Sequence, residues 1–347
     1  MGRMWSELRA DAATRDLGAL VEAGLPVNEV HAAAIDIVSR VVPSDATCWA
    51  TVDPETMMLT GSLTVAFTPS PEQEARFVEL EYHGNDGNSF ASLARGPVPA
   101  ARLSDLPHRQ VVASQRLHEV YRPLGLAHEA RVAFTTDGVC WGVAGLLRSP
   151  GSDDFEDREI RFLAETSSVI ATATRAALRR PGERSDEARP PAVIVVDGRG
   201  RVQAATAAAQ DWADALGETQ GVSVALRTVA SAAMHGAPDA HVRLRDDRGG
   251  WVVLRASPLT FAGAHEDDRV AVTVETATPS EMRRLLLAAY GLSPREQDVA
   301  LEVLDGRSTD DIAARLFISP NTVQDHLKSV FAKVGVRSRR ELVGNLT

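Results

Sequence analysis

Four times between residues 293 and 341 a serine stands where a helix should begin, and this constrains the fold more than anything else in the chain. In SPRE (293–296), Ser293 is placed to cap, Pro294 to open the helix and Glu296 to return the hydrogen bond, a full capping box. STDD (308–311) puts Asp311 at the reciprocal position, SPNT (319–322) repeats Ser-Pro, and SRRE (338–341) is a further box. Gly306 and Gly335 supply matching stops. The spacing predicts helices over roughly 294–305, 309–316, 320–334 and 339–346. Only Phe317-Ile318-Ser319 joins the second to the third. Two short helices tied so closely must cross, which makes a helix-turn-helix.

On the third of these helices Val323, Leu327, Val330, Phe331 and Val334 fall on one stripe at helical spacing. The other arc holds Asn321, Asp325, Lys328, Ser329 and Ala332, flanked by Thr322, Gln324 and Lys333. Such a face has little bulk and many hydrogen-bonding groups. Any amphipathic helix has a solvated polar face, but a face of this kind also fits the major groove. There Gln pairs with adenine, Lys with guanine, and Asp accepts from cytosine N4.

Charge sharpens that reading. The chain carries −10 overall, which excludes a basic coat for nucleic acid or membrane. From Glu281 onward there are ten Lys/Arg and nine Asp/Glu, net +1, so the remainder holds −11. The only two lysines, Lys328 and Lys333, both lie on the third helix. Either they survive a general preference for arginine, or a flexible ammonium is wanted near phosphates or base edges.

Upstream, two seams separate three blocks: RRPGERSDEARPP (179–191), which reads as a linker, and TATPSEM (276–282), just before an apolar helix-like run, RRLLLAAYG. The first block begins with apolar positions at helical spacing over 17–41. Strands ATCWATVD and MMLTGSLTV follow around Pro54, then helices at 71–82 and 109–122. A hairpin over ARVAFTTDGVCWGVAGLLR turns at Asp137-Gly138, and a long helix spans 155–179. This is an α+β domain with an antiparallel sheet. The second block offers AVIVVDGRGRVQAA as a hairpin at Asp197-Gly198, a helix closed by Gly217, a helix over 223–234, and strands HVRLRDDRGGWVVLRASPL and RVAVTVET. It predicts a five-strand antiparallel sheet with helices inserted after the first hairpin.

LSPREQDVALEVLDGRSTDDIAARLFISPNTVQDHLKSVFAKVGVRSRRELV resembles the LuxR/NarL/GerE-type helix-turn-helix domain over about residues 290–347. The pieces that carry the resemblance are LSPRE, I-A-x-x-L, IS-x-x-TV, His326, K-V-G-V and SR-x-EL. It implies that the third helix enters the major groove of double-stranded DNA and that the fourth carries dimer contacts. The family commonly has Lys or Arg at the position of Gln324, and Asp325 adds a negative charge to the groove-facing set. The first block resembles a GAF domain through its C-W-G-V-A-G-L-L hairpin and long last helix, and the second a PAS domain, although PAS-like segments often have Asn where Thr206 stands. The whole is similar to GAF–PAS–helix-turn-helix regulators of high-GC, actinobacterial type.

The expected organisation is therefore multidomain: an α+β GAF-like domain (1–180), a linker (181–191), an α+β PAS-like domain (192–278) and an all-α four-helix DNA-binding domain (279–347). The expected DNA-binding residues are Ser319, Asn321, Thr322, Val323, Gln324, Asp325, His326, Lys328, Ser329, Lys333, Arg337 and Arg339. The partners expected are double-stranded DNA, a second copy of the chain and a small ligand in 1–180. Pairing surfaces are offered by Ile160, Leu163, Val169 and Ile170 on the long helix and by Leu342, Val343 and Leu346 on the last. The other reading gives the upstream domains a protein partner instead of a ligand.

No cofactor, metal or catalytic role is expected. There is no GxxxxGK[ST] and no nucleophile–base pair. The first block does not open with the apolar strand and paired acids of a phosphoacceptor receiver, and an acyl-homoserine lactone sensor would carry one upstream domain. His108, His118 and His128 recur at tens but share no face. Cys48 and Cys140 read as buried strand residues, with no basic neighbour to lower a thiol pKa. With no apolar run of about 18 residues and no signal sequence, a soluble cytoplasmic setting is expected.

Overall fold

The computed structural model describes residues 2–180, 189–197, 200–216, 221–246, 248–260 and 269–346. They belong to two compact units, Met1–Thr276 and Ala277–Thr347. Gly198, Gly217 and positions 181–188 of the expected linker lie outside the described residues.

The first unit opens with α1 (Gly2–Ala19) and α2 (Val27–Ser39). The single periodic run expected over 17–41 is thus two helices. Gly24, at φ +64°, and Pro26 break it, because neither continues an α-helix. Next come β1 (Ala46–Val52), β2 (Leu59–Val65), α3 (Pro71–His83), α4 (Phe90–Arg95), β3 (Ala100–Arg102) and α5 (His108–Ala113). A single π-turn covers Arg116–Tyr121, so the helix expected over 109–122 is two short pieces. β4 (His128–Thr136), β5 (Val139–Arg148) and α6 (Asp157–Leu178) complete the first layer.

The first sheet has the order β2-β1-β5-β4-β3, antiparallel throughout. Its central hairpin turns at Asp137 (φ +54°) and Gly138 (φ +76°), the pair of left-handed residues that a tight hairpin needs. Side chains alternate across the strands. Trp49 and Phe134 meet the His31 ring of α2, and His31 Nε2 lies 3.1 Å from Thr174 Oγ1 of α6. Cys48, Ala50 and Val143 point to the opposite face, where Phe77 of α3 and Phe90 of α4 lie. Leu163 and Ile170 of α6 are fully buried within this unit, so two of the four residues offered for pairing are spent internally.

The second sheet is built from β6 (Ala192–Val196), β7 (Val202–Ala205), β8 (Ala240–Arg245), β9 (Trp251–Pro258) and β10 (Val270–Thr276), in the order β7-β6-β10-β9-β8. Its helices are α7 (Ala208–Ala215) and α8 (Gly221–Met234), inserted after the first hairpin as expected. Helix α8 packs on β8, β9 and β10 and also on β2 and α3. Val224 of α8 enters the apolar cluster of Ala50, Val52 and Leu59, and Met58 packs into the cluster of the second sheet. Arg227 Nε lies 3.2 Å from Glu74 Oε2, and the rings of His83 and His235 stack at 3.6 Å.

The second unit is all helix: α9 (Pro279–Ala289), α10 (Pro294–Leu304), α11 (Thr309–Leu316), α12 (Pro320–Val334) and α13 (Arg339–Leu346). Besides the four helices expected over 294–346 it contains α9, where the run RRLLLAAYG reads as helix-like; Thr278 caps it with its own box to Glu281. Among the described residues no helix is long and apolar enough to cross a membrane.

Candidate nucleic-acid interface

Each serine expected as a cap is one. The Ser293, Ser308, Ser319 and Ser338 hydroxyls accept from the amides of Glu296, Asp311, Thr322 and Glu341. Gly335 ends α12 at φ +80°. Val323, Leu327, Val330 and Val334 are buried and share one core with Val299, Ile312 and Leu342, which holds α12 against α10 and α11. Phe331 is half-buried at the margin of that core.

The opposite side of α12 is open. Asn321 and Gln324 are exposed, and Gln324 Nε2 reaches Thr309 Oγ1 at 3.2 Å. Lys328 Nζ lies 3.1 Å from Asp325 Oδ1, both side chains more than 70% exposed (78% and 73%). Such an exposed pair holds Lys328 only weakly. Thr322 Oγ1 sits 2.9 Å from Ser319 Oγ at the helix start, and His326 is half-buried. Arg337 is exposed just beyond the helix.

Four of the expected contacts are buried or have partners inside the unit. Val323 has no exposed surface and is a packing residue, because its stripe faces the core. Ser329 Oγ donates to Glu296 Oε1 at 2.5 Å, and Lys333 Nζ binds Glu296 Oε2 at 2.7 Å and the Gly291 carbonyl at 3.1 Å. These two side chains tie α12 to α10. Burial alone would raise the Glu296 carboxyl, but Lys333, Ser329 and Ser293 hold it down at about 2. Arg339 donates to the Arg307 carbonyl and to Thr309 Oγ1, pinning α13 to the start of α11. On α13 itself, Leu342 and Leu346 are buried in the unit's own core and Val343 stays half-buried.

Two features were not read from the sequence as part of this surface. Arg295 Nη2 donates to the Leu316 carbonyl at 2.8 Å, closing the end of α11. Phe317, the next residue, is almost wholly exposed. Neither has a local signal: a guanidinium that caps a distant helix looks like any surface arginine.

In the first unit a cavity of about 60 Å³ lies between the first sheet, α3 and α8, lined by Cys48, Ala50, Phe77, Phe90, Val143 and Val224 among others. Its walls are mostly apolar. Cys140 is buried as expected, whereas Cys48 is half-buried on the cavity wall; desolvation pushes both thiols up to about 12. His108, His118 and His128 sit on α5, the π-turn and β4, and among the described residues no group of three or more metal-ligating side chains is gathered.

Residues 291–345 match the family model described as bacterial regulatory proteins, luxR family. A Mycobacterium tuberculosis protein designated an HTH-type transcriptional regulator is 56% identical over 52 residues, 15% of this chain and 6% of that protein. The uncharacterized transcriptional regulatory protein YhcZ of Bacillus subtilis is 44% identical over 52 residues, 15% of this chain and 24% of YhcZ. The chain thus spans a quarter or less of the length of these relatives. Among solved structures, SdiA in complex with octanoyl-rac-glycerol is similar over 95% of this chain and 91% of that one, at 11% identity and a TM-score of 0.37. The phage VqmA–DPO complex covers 49% of this chain and 86% of its own, at 17% identity and a TM-score of 0.21. Over residues 291–345 the chain therefore carries a helix-turn-helix domain of the luxR family of bacterial regulatory proteins.

Proposed function

We propose that the chain is a sequence-specific DNA-binding transcriptional regulator of the cytoplasm whose helix α12 enters the major groove. The observation that carries this is the division of α12. Val323, Leu327, Val330 and Val334 anchor it in the core, while Asn321, Gln324, Asp325 and Lys328 stand on its open side. Small and polar groups there let the helix approach base edges. The net charge of about +1 on this unit supplies little non-specific attraction, so affinity leans on base contacts and on pairing of two copies. Two copies would read half-sites about one helical turn apart.

For residues 1–276 the reading is a sensory region with a GAF-like and a PAS-like sheet, responsive to a small apolar ligand. The cavity beneath α3 and α8 supports a ligand over a protein partner, because it is a recess lined by apolar side chains rather than a flat face.

Selection of bound duplexes from a random library by the full-length protein tests the DNA reading. Enrichment of an inverted repeat, abolished by Gln324→Ala together with Lys328→Ala, is the expected result. Absence of any enriched sequence would refute it. Thermal unfolding of the full chain against a metabolite panel tests the sensory reading, since a ligand that binds only the folded form raises the midpoint.

A further inference from the structure

Phe317 is 94% exposed, against 58% for Val112, the next most exposed large hydrophobic among the described residues. It also sits at φ +54° and ψ +46° as the C-cap of α11. That left-handed conformation suits glycine or asparagine and disfavours a residue with a bulky side chain. The fold therefore gains no packing from the ring and accepts an unfavourable backbone beneath it.

The ring's position gives it a use. Phe317 lies two residues before Ser319, the N-cap of α12, and the Arg295 guanidinium fixes the Leu316 carbonyl just ahead of it. When the N-terminal residues of a recognition helix meet base edges, the turn before them stands at the rim of the groove. The one apolar group that a base pair displays there is the thymine 5-methyl, and a phenyl ring is one of its natural partners. The exposed residues around Phe317 are the polar Arg315, Ser319 and Asn321 and the small Ala314 and Pro320, while Leu316 and Ile318 beside it are half-buried. A single large exposed ring with only small or half-buried apolar neighbours is no centre for a protein interface, which needs a broad desolvated apolar patch. It does match an isolated methyl group flanked by phosphates.

The geometry points to Phe317 as a specificity-determining residue that reads a thymine methyl at the edge of the DNA site, from outside the recognition helix. This rests on the DNA-binding reading above.

The test uses the full-length protein and duplexes selected from a random library. Each thymine of the selected site is replaced in turn by deoxyuridine, which removes only the methyl. One replacement should weaken binding by wild-type protein about fourfold, the worth of one buried methyl. The same replacement should leave binding by Phe317→Ala unchanged, and Phe317→Ala should already bind the unmodified site about fourfold more weakly, since its ring is absent. Phe317→Gly should show the same binding loss with an undiminished unfolding midpoint, because glycine is at ease at this φ. Two results would overturn the inference. Phe317→Ala could bind as tightly as wild type, which with lost regulation would point to a protein partner; or every thymine replacement could act equally on both proteins. Failure to enrich any duplex would instead overturn the DNA-binding reading, and this inference with it.

Discussion

Arg243 Nη2 lies 2.7 Å from Asp53 Oδ1 and its Nε 2.8 Å from Asp53 Oδ2, a bidentate pair between residues 190 apart in sequence. Both side chains are buried, and the Arg243 amide donates to the same carboxylate. Asp53 follows β1 of the first sheet and Arg243 belongs to β8 of the second, so the pair joins the two. Burial works against the charged guanidinium, and its bonds to Asp53, joined by one to Glu55 at 2.8 Å, more than offset it.

Removing Asp53 leaves the buried Arg243 guanidinium with the half-exposed Glu55 carboxylate, 2.8 Å from Nη2, in place of a buried bidentate partner. Asp53→Ala should destabilise Met1–Thr276 by about 3–5 kcal/mol, read from urea unfolding followed by tryptophan fluorescence. Asp53→Leu combined with Arg243→Met should recover most of that loss. Equal losses for the single and double variants would show that the charge is not what matters.

The two lysines should separate cleanly. Lys328→Ala should weaken specific DNA binding by about 1–3 kcal/mol while leaving the unfolding midpoint unchanged. Lys333→Ala should lower the midpoint and leave the salt dependence of DNA binding as it was, because its ammonium is bound to Glu296 and Gly291. A drop in salt slope for Lys333→Ala would place it on the phosphates after all.

Acid should loosen the helix-turn-helix unit through Glu296. Its carboxyl is held at about 2 in the fold against an ordinary 4.5, so the unfolded chain takes up the proton first. The stabilisation is complete above about 4.5 and is lost as pH falls toward 2. Circular dichroism of wild type and Glu296→Gln across that window should show a steeper acid loss in wild type.

His31 works at a higher pH. Burial lowers it from 6.5 to about 4, so it is neutral in the fold while the unfolded chain protonates. Stability from this site should decline as pH falls from 6.5 to 4, by up to about 3 kcal/mol. His31→Gln should flatten the pH dependence of urea unfolding in that range. An unchanged slope would assign the acid sensitivity elsewhere.

Much of the second unit was legible because its signals are local: a capping serine, its partner three residues on and a stopping glycine all act within one turn. The hairpin at Asp137-Gly138 was readable for the same reason. Other features were hidden by distance. Nothing near Asp53 announces Arg243, and nothing in α8 announces that Val224 belongs to the core of the first sheet. Lys333 sat on the polar arc by periodicity, but a long side chain can swing to a neighbour, and Glu296 was the stronger attraction. β3, at three residues, is too short for an alternating pattern to show.

Helix α8 has one further consequence. It serves two sheets at once, so a cut or crossover between them would strip Val224 from one core and expose Met58 at the other. Neither sheet is an interchangeable part. The smallest cassette that recombination could move with both cores intact runs to Thr276, just before the helical unit, so an exchange that spares both sheets breaks the chain there.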